Sequence, residues 1–399
     1  MGILEKIKEI EFEMGRTQKN KATEYHLGTL KAKLAKLRTQ LQEPPKTGGG
    51  GEGFEVTKYG DGRVALIGFP SVGKSTLLTE LTGTNSEAAG YEFTTLTCIP
   101  GVIHYNDAKI QLLDLPGIIE GAAEGKGRGR QVIAVCKSAD LLLMVLDAGK
   151  PHYHQEILTR ELEAVGMRLN RSPPKITFKK KKTGGIAVNS MLQLTNLDDR
   201  TITRILQEYK IHNCDLLFKE DSTIDDLIDV IEGNRRYVKC LYVYNKIDVC
   251  SMEEVEEIAR RPYSIPISCY QKLNFDGLLK RIWEMMGLVR VYTKKVGHKP
   301  DFGDPVVLSD DRGGTSMQDF CERIHQSLLR EFQYALVWGT SSKHMPQRCG
   351  LSHMMEDEDV VQVVKKKITG GEDGKGRFAQ QAKDYVRTVD RVKKAALKT

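Results

Sequence analysis

Gly68-Phe-Pro-Ser-Val-Gly-Lys-Ser-Thr76 decides the reading of this 399-residue chain. It has the form G-x-x-x-x-G-K-[ST], the signature of a loop that holds phosphate groups. Gly68 and Gly73 stand where the backbone must turn without a side chain, so that in the loop opened by Pro70 the N–H groups of Ser71, Val72 and Gly73 can point inward at phosphate oxygens. Lys74 brings a positive charge to the β- and γ-phosphates, and the Ser75 hydroxyl is a candidate ligand for Mg²⁺. Thr76 carries the loop into a helix whose positive end faces the same anion. The flanks agree. Arg63-Val-Ala-Leu-Ile67 is a short apolar strand, and Leu77, Leu78 and Leu81 follow at helical spacing.

Working outward, three distant pieces complete a nucleotide site. Asp114-Leu-Pro-Gly117 closes an apolar strand, Ile110–Leu115. A carboxylate there can hold a Mg²⁺ water, and the Gly117 amide can sense a γ-phosphate. Asn245-Lys-Ile-Asp248 follows the strand Leu241–Asn245 and discriminates between bases. The Asp248 carboxylate accepts two hydrogen bonds from guanine N1–H and its 2-amino group, donors that adenine lacks. Asn245 tethers this loop and meets the base edge, while the Lys246 stem packs on the ring. Ser268-Cys-Tyr270 follows the run Ser264–Ile267, placing the Cys269 amide where it could bond the guanine O6. Between the phosphate loop and Asp114, Tyr91-Glu-Phe-Thr-Thr-Leu-Thr97 supplies threonines for a mobile switch, one hydroxyl of which would complete the Mg²⁺ shell; a plain β-branched strand is the other reading.

The rest of the chain sorts into modules. Ile3, Leu4, Ile7, Ile10 and Met14, then Leu27, Leu30, Leu34, Leu37 and Leu41, predict a helical hairpin over 1–43. Its leucine stripe could pack on itself, dock on the rest of the chain or meet a partner helix. Residues 44–60, with Pro44-Pro45 and a Gly-rich run, read as a linker. From Arg63 to Leu288 strands and helices alternate, predicting a doubly wound α/β domain over 61–169 and 237–288. The interval 170–236 is too long for one crossover. Strands at Ile176–Lys180 and Ile186–Val188 around a Gly-Gly turn, and helices at Thr201–Tyr209 and Ile224–Glu232, predict an inserted α+β subdomain. Residues 289–367 read as a small α+β domain in which a sheet grips one helix, Met317–Phe332. Residues 368–399 read as a basic extension, with disorder predicted at 369–377 and a basic amphipathic helix at Phe378–Leu397.

Composition sets limits. The net charge of +7 is concentrated at Lys179–Lys182 and in the C-terminal segment, which suits nucleic acid or an acidic partner surface; a solvated charged face is the plainer reading of any single run. No apolar run approaches the roughly 18 residues of a bilayer span. The charged, helical N-terminus lacks the pattern of a secretory signal. Eight cysteines without a C-x-x-C fit a reduced, cytoplasmic protein, with no membrane contact expected.

Gly68–Thr76, Tyr91–Thr97, Leu112-Leu-Asp-Leu-Pro-Gly-Ile-Ile-Glu-Gly121, Gly125-Lys-Gly-Arg-Gly-Arg-Gln131, Asn245–Asp248, Ser268, Ala335-Leu-Val-Trp-Gly339 and Glu356-Asp-Glu-Asp359 together resemble the DRG group of Obg-like G proteins, the developmentally regulated GTP-binding proteins. The resemblance runs from the N-terminal hairpin to about Lys367. It implies a P-loop GTPase domain with an inserted subdomain and a C-terminal TGS domain of β-grasp type. It also implies GTP/GDP and Mg²⁺ as ligands, with Ser75, Thr95 and Asp114 as metal candidates and Lys74, Thr95 and Gly117 as catalytic candidates. Ribosome or rRNA association in translation and a regulatory partner of the DFRP type are further expectations, the chain being a monomer or a heterodimer with that partner. Two departures qualify this. Ile118 stands where many small G proteins carry a water-orienting glutamine, which implies slow intrinsic hydrolysis or completion of the site by another group, K⁺ being one candidate. Ser71 replaces the P-loop asparagine of potassium-dependent relatives. A nucleotide-gated scaffold of low turnover, acting on microtubules or signalling complexes, is the alternative, and an ATPase the third reading.

Overall fold

The computed structural model describes residues 2–18, 20, 23–42, 60–82, 99–115, 129–150, 153–310 and 313–366. These fall in two compact units, Met1–Met286 and Gly287–Thr399. Tyr91–Thr97 with Thr95, Gly117, Ile118, the linker at 47–53 and the helix expected at 378–397 lie outside the described residues.

The first unit opens with α1 (Ile3–Arg16) and α2 (Glu24–Gln42). The nucleotide-type domain follows with β1 (Gly62–Ile67), α3 (Lys74–Thr82), β2 (Ile99–Tyr105), β3 (Ala108–Asp114), α4 (Gly129–Ser138), β4 (Leu141–Asp147), α5 (Tyr153–Ala164) and β5 (Met167–Leu169). An insertion of β6 (Ile176–Lys180), β7 (Ile186–Ser190), α6 (Asp199–Glu208), β8 (Cys214–Phe218) and α7 (Ile224–Glu232) comes next. The chain then returns through β9 (Arg236–Asn245), α8 (Met252–Arg260), β10 (Ser264–Pro266) and α9 (Phe275–Met286).

The main sheet runs β10-β9-β4-β1-β3-β2, with β5 pairing the start of β9. Every residue of β1 and all but the last of β4 are buried. That is why both strands read as unbroken apolar runs: helices cover both of their faces. β2, absent from the sequence reading, departs from the doubly wound pattern as an antiparallel edge strand on β3. Arg63, fully buried at the start of β1, is satisfied by its own neighbours: its Nε donates to Gln111 Oε1 at 3.0 Å and its Nη1 to Ser138 Oγ at 2.8 Å.

The insertion corrects one expectation. β6 and β7 do not form a hairpin around Gly184-Gly185. β8, which the sequence reading missed, lies between them, antiparallel to β6 and parallel to β7. Alternation along β8, with Cys214, Leu216 and Phe218 buried, turns one sheet face onto α6 and α7. The hairpin takes one of the arrangements the sequence left open, docking on the rest of the chain. α2 seats on this subdomain through small residues rather than the leucine stripe. Ala32 and Ala35 join the core of Ile202, Ile205, Leu227 and Ile228, and a Cβ added at Gly28 would lie 3.3 Å from both Ile224 and Thr201. Of the stripe only Leu30 is buried; Leu27, Leu34, Leu37 and Leu41 are half-buried.

The second unit contains β11 (Leu288–Lys294), β12 (Pro300–Ser309), α10 (Met317–Ile324), α11 (Gln326–Glu331), β13 (Phe332–Trp338), β14 (Gln347–Cys349) and β15 (Asp359–Lys365). The sheet order β12-β11-β15-β13-β14, gripping α10 through Met317, Phe320 and Cys321, is the β-grasp arrangement. The single helix expected over Met317–Phe332 is broken at His325, whose φ of −169° is extended, and Phe332 already belongs to β13. Among the described residues no helix is long and apolar enough to cross a membrane.

Candidate nucleotide-binding site

Parallel register gathers the motif residues at one edge of the main sheet. Leu66 is paired with Asp114 and Asp147 with Asn245, so the carboxyl ends of β1, β3, β4 and β9 meet where such folds bind ligands. The phosphate loop leaves β1 at Gly68 and enters α3 at Lys74. Gly73 has φ +95°, and a Cβ there would lie 2.3 Å from Asn245 Nδ2, so only glycine admits this contact. Ser71 takes the left-handed conformation at φ 63°, while Pro70, Ser71, Ser75 and Thr76 are exposed at the mouth and Val72 is buried beneath.

Lys74 is buried, and its Nζ donates to Gly68 O at 2.9 Å and Phe69 O at 2.8 Å. Burial lowers its pKa, with Asp114 pulling the other way. The ammonium is thus held under the loop, where a phosphate would favour its charged form. Ser75 Oγ donates to Asp114 Oδ2 at 2.9 Å.

The loop after β9 is tied to the phosphate loop. Asn245, 2% exposed, donates Nδ2 to Val72 O at 2.8 Å and accepts the Lys246 and Cys269 amides on Oδ1 at 2.8 and 3.0 Å. The Cys269 amide, read above as a donor to guanine O6, serves this tether in the structure. Lys246, left-handed at φ 67°, reaches Ser71 O at 3.1 Å and Asp147 Oδ2 at 2.8 Å. Ser268, fully buried, donates Oγ to Asp248 Oδ1 at 2.5 Å, leaving Asp248 Oδ2 with no donor among the described residues. An exposed carboxylate braced on one oxygen and open on its other lone pairs suits two donors on a base edge.

Three family profiles match in tandem: one described as "50S ribosome-binding GTPase" over residues 63–180, the "C-terminal region of MMR_HSR1 domain" over 183–288, and the "TGS domain" over 289–365. Developmentally-regulated G-protein 2 of Arabidopsis thaliana is 68% identical over 399 residues, covering 100% of both chains. The chain belongs to the family of developmentally regulated GTP-binding proteins. Developmentally-regulated GTP-binding protein 2 of Homo sapiens is 62% identical over 367 residues, 92% of this chain and 100% of that one. The basic extension of this DRG-family chain is therefore included in the match to the Arabidopsis protein.

Within this DRG-family site, Asp114 Oδ1 is buried with no hydrogen-bond partner among the described residues, beside the Ser75 hydroxyl. An orphaned carboxylate oxygen is costly unless a cation or its water meets it, so Ser75 and Asp114 fit Mg²⁺. Sequence reasoning missed Asp147. Its carboxylate holds the Lys246 ammonium and the Gly149 amide, the latter at 3.1 Å. The signal was available: a carboxylate ends the strand that pairs with Asn245. It also missed the brace from Lys272 to Glu80 of α3, an ion pair of 2.7 Å that belongs to no motif.

Proposed function

We propose that this DRG-family chain is a Mg²⁺-dependent switch that binds GTP and hydrolyses it to GDP and phosphate. The observation that carries this reading is the tether from Asn245 to Val72, which fixes the guanine-selective loop onto the phosphate cradle at 2.8 Å. Lys74 neutralises the β- and γ-phosphates, and Asp248 with Ser268 selects guanine. Mg²⁺, held by Ser75 and Asp114, would supply charge stabilisation for the phosphate oxygens. Ile118 next to Gly117 makes intrinsic turnover slow, with K⁺ or a partner completing the site. Phosphate release that requires Mg²⁺ and disappears in Lys74→Ala supports the enzyme reading. A chain that binds GTP but shows no release, with or without K⁺, would instead be a nucleotide-gated scaffold.

Ribosome association in translation, with a DFRP-type regulatory protein as partner, is the setting we infer. Its support is the description of the matched profile and the exposed run Lys179–Lys182 on the insertion. Sedimentation in low salt with a GTP analogue tests it: a protein that stays at the top of the gradient removes the ribosome from the proposal. Basic contacts of this kind should weaken as salt rises.

A further inference from the structure

A cleft of about 290 Å³ opens where α2, α5, β5 and α7 converge, and none of its lining residues belongs to the nucleotide site. Six cationic side chains line it: Lys31, Arg38, Arg160, Arg168, Arg171 and Arg235. They face four carboxylates, and these are already engaged. Asp229 takes two nitrogens of Arg168 at 2.7 and 2.8 Å and Nε of Arg235 at 3.2 Å. Asp225 holds Lys31 at 2.7 Å, and Asp226 is turned toward the N–H and hydroxyl of Thr223 at 2.9 and 2.8 Å. Glu163 reaches Arg171 only at 3.5 Å.

Three guanidinium groups keep unfilled donors. Arg160 has no acidic partner among the described residues and is exposed at the rim. Arg171 is 62% exposed and loosely held. Arg235 is 7% exposed, more than nine-tenths buried, yet its two η nitrogens meet no acceptor among the described residues. Lys137, at the end of α4, adds positive charge beside it; burial first, and Arg235 second, lower the Lys137 pKa. Guanidinium donors left free in a cleft beside another cation favour an anion that completes them.

We propose that this cleft binds a small phosphorylated ligand, a phosphomonoester dianion gripped by Arg160, Arg171 and Arg235. Planar guanidinium forks match phosphate oxygens in pairs, and with Arg38 held by Glu11 at 2.7 Å the cleft still carries a net positive charge toward an anion. The volume leaves room beside the phosphate for a small organic body. Such a ligand joins the α5 helix of the nucleotide domain to the segments that lead into and out of the insertion, after β5 and before β9.

The test uses the full chain saturated with GDP and Mg²⁺, so that the phosphate loop is filled throughout. Inorganic phosphate is titrated at constant ionic strength by phosphorus NMR, and ribose 5-phosphate by calorimetry. Saturable binding is expected, weakened roughly tenfold or more in Arg160→Ala/Arg171→Ala, two exposed positions whose loss leaves the fold intact. GDP affinity, measured on the same samples, should not change, which separates failure of this site from failure of the nucleotide reading. Absence of saturable binding, or equal affinity in the double variant, overturns the proposal.

Discussion

Ser75 Oγ donates to Asp114 Oδ2 at 2.9 Å, joining two residues 39 apart in sequence, and the other oxygen of the same carboxylate is buried without a partner among the described residues. The pair is organised for a cation. Ser75→Ala should lower GTP affinity in Mg²⁺ by about 1.5–3 kcal/mol, more than tenfold, the range for a hydrogen bond to a charged group. Titration with a fluorescent GTP analogue, with and without Mg²⁺, checks this. Wild-type protein should lose affinity when Mg²⁺ is chelated, and the variant should lose much less.

In the proposed function, Asp248 sets the base. Asp248→Asn keeps an acceptor for N1–H but puts a donor opposite the 2-amino group of guanine, where xanthine carries a carbonyl, so GTP affinity should fall on the order of a hundredfold while xanthosine triphosphate gains. Competition of GTP, ATP and xanthosine triphosphate against labelled GDP reads this out. ATP competing with wild-type protein as well as GTP does would contradict the role given to Asp248.

Asp229 pins the insertion to the nucleotide domain. Its carboxylate, 3% exposed, takes Arg168 of β5 and Arg235 before β9. Asp229→Ala strands two buried guanidinium groups and should cost roughly 3–5 kcal/mol of stability, measurable by urea unfolding. Arg168→Met/Asp229→Leu, which removes charge from both sides, should recover part of that loss.

The seat of the hairpin depends on small residues. Ala32 is fully buried against α6 and α7. Ala32→Glu should release the hairpin, seen as faster proteolysis and amide exchange over residues 3–42, with GDP affinity unchanged. Loss of nucleotide binding in this variant would show that the hairpin supports the site.

Acid should loosen the C-terminal unit through Asp357. Burial alone would raise its pKa, but Arg290, bonded at 2.7 and 3.0 Å, brings it below the ordinary 3.8. A carboxyl depressed on folding contributes stability above the unfolded value and loses it as pH falls through the folded one. Thermal melting followed from roughly pH 5 down to pH 3 should show this loss, and Arg290→Met should flatten it.

Contiguous motifs were legible from the sequence because phosphate and guanine dictate residue types within a few positions of one another. Gly68–Thr76, Asp114 and Asn245–Asp248 could be assigned roles before any contact was known, and each buried strand beside them announced itself as an unbroken apolar run. Other features depend on residues distant in the chain. Nothing local to β8 says that it slides between β6 and β7. The leucines of α2 advertise a coiled-coil seam, yet Gly28, Ala32 and Ala35 make the close approach, because the opposing surface of α6 and α7 leaves room only for small side chains. The charge cluster around Asp229 draws on α5, β5, α7 and the start of β9, and no spacing rule links them. The sequence alone determined which chemistry the chain carries, since a ligand imposes local demands. Only the tertiary structure decided how the modules lock together and where cations collect, since packing and charge balance are properties of surfaces that meet after folding.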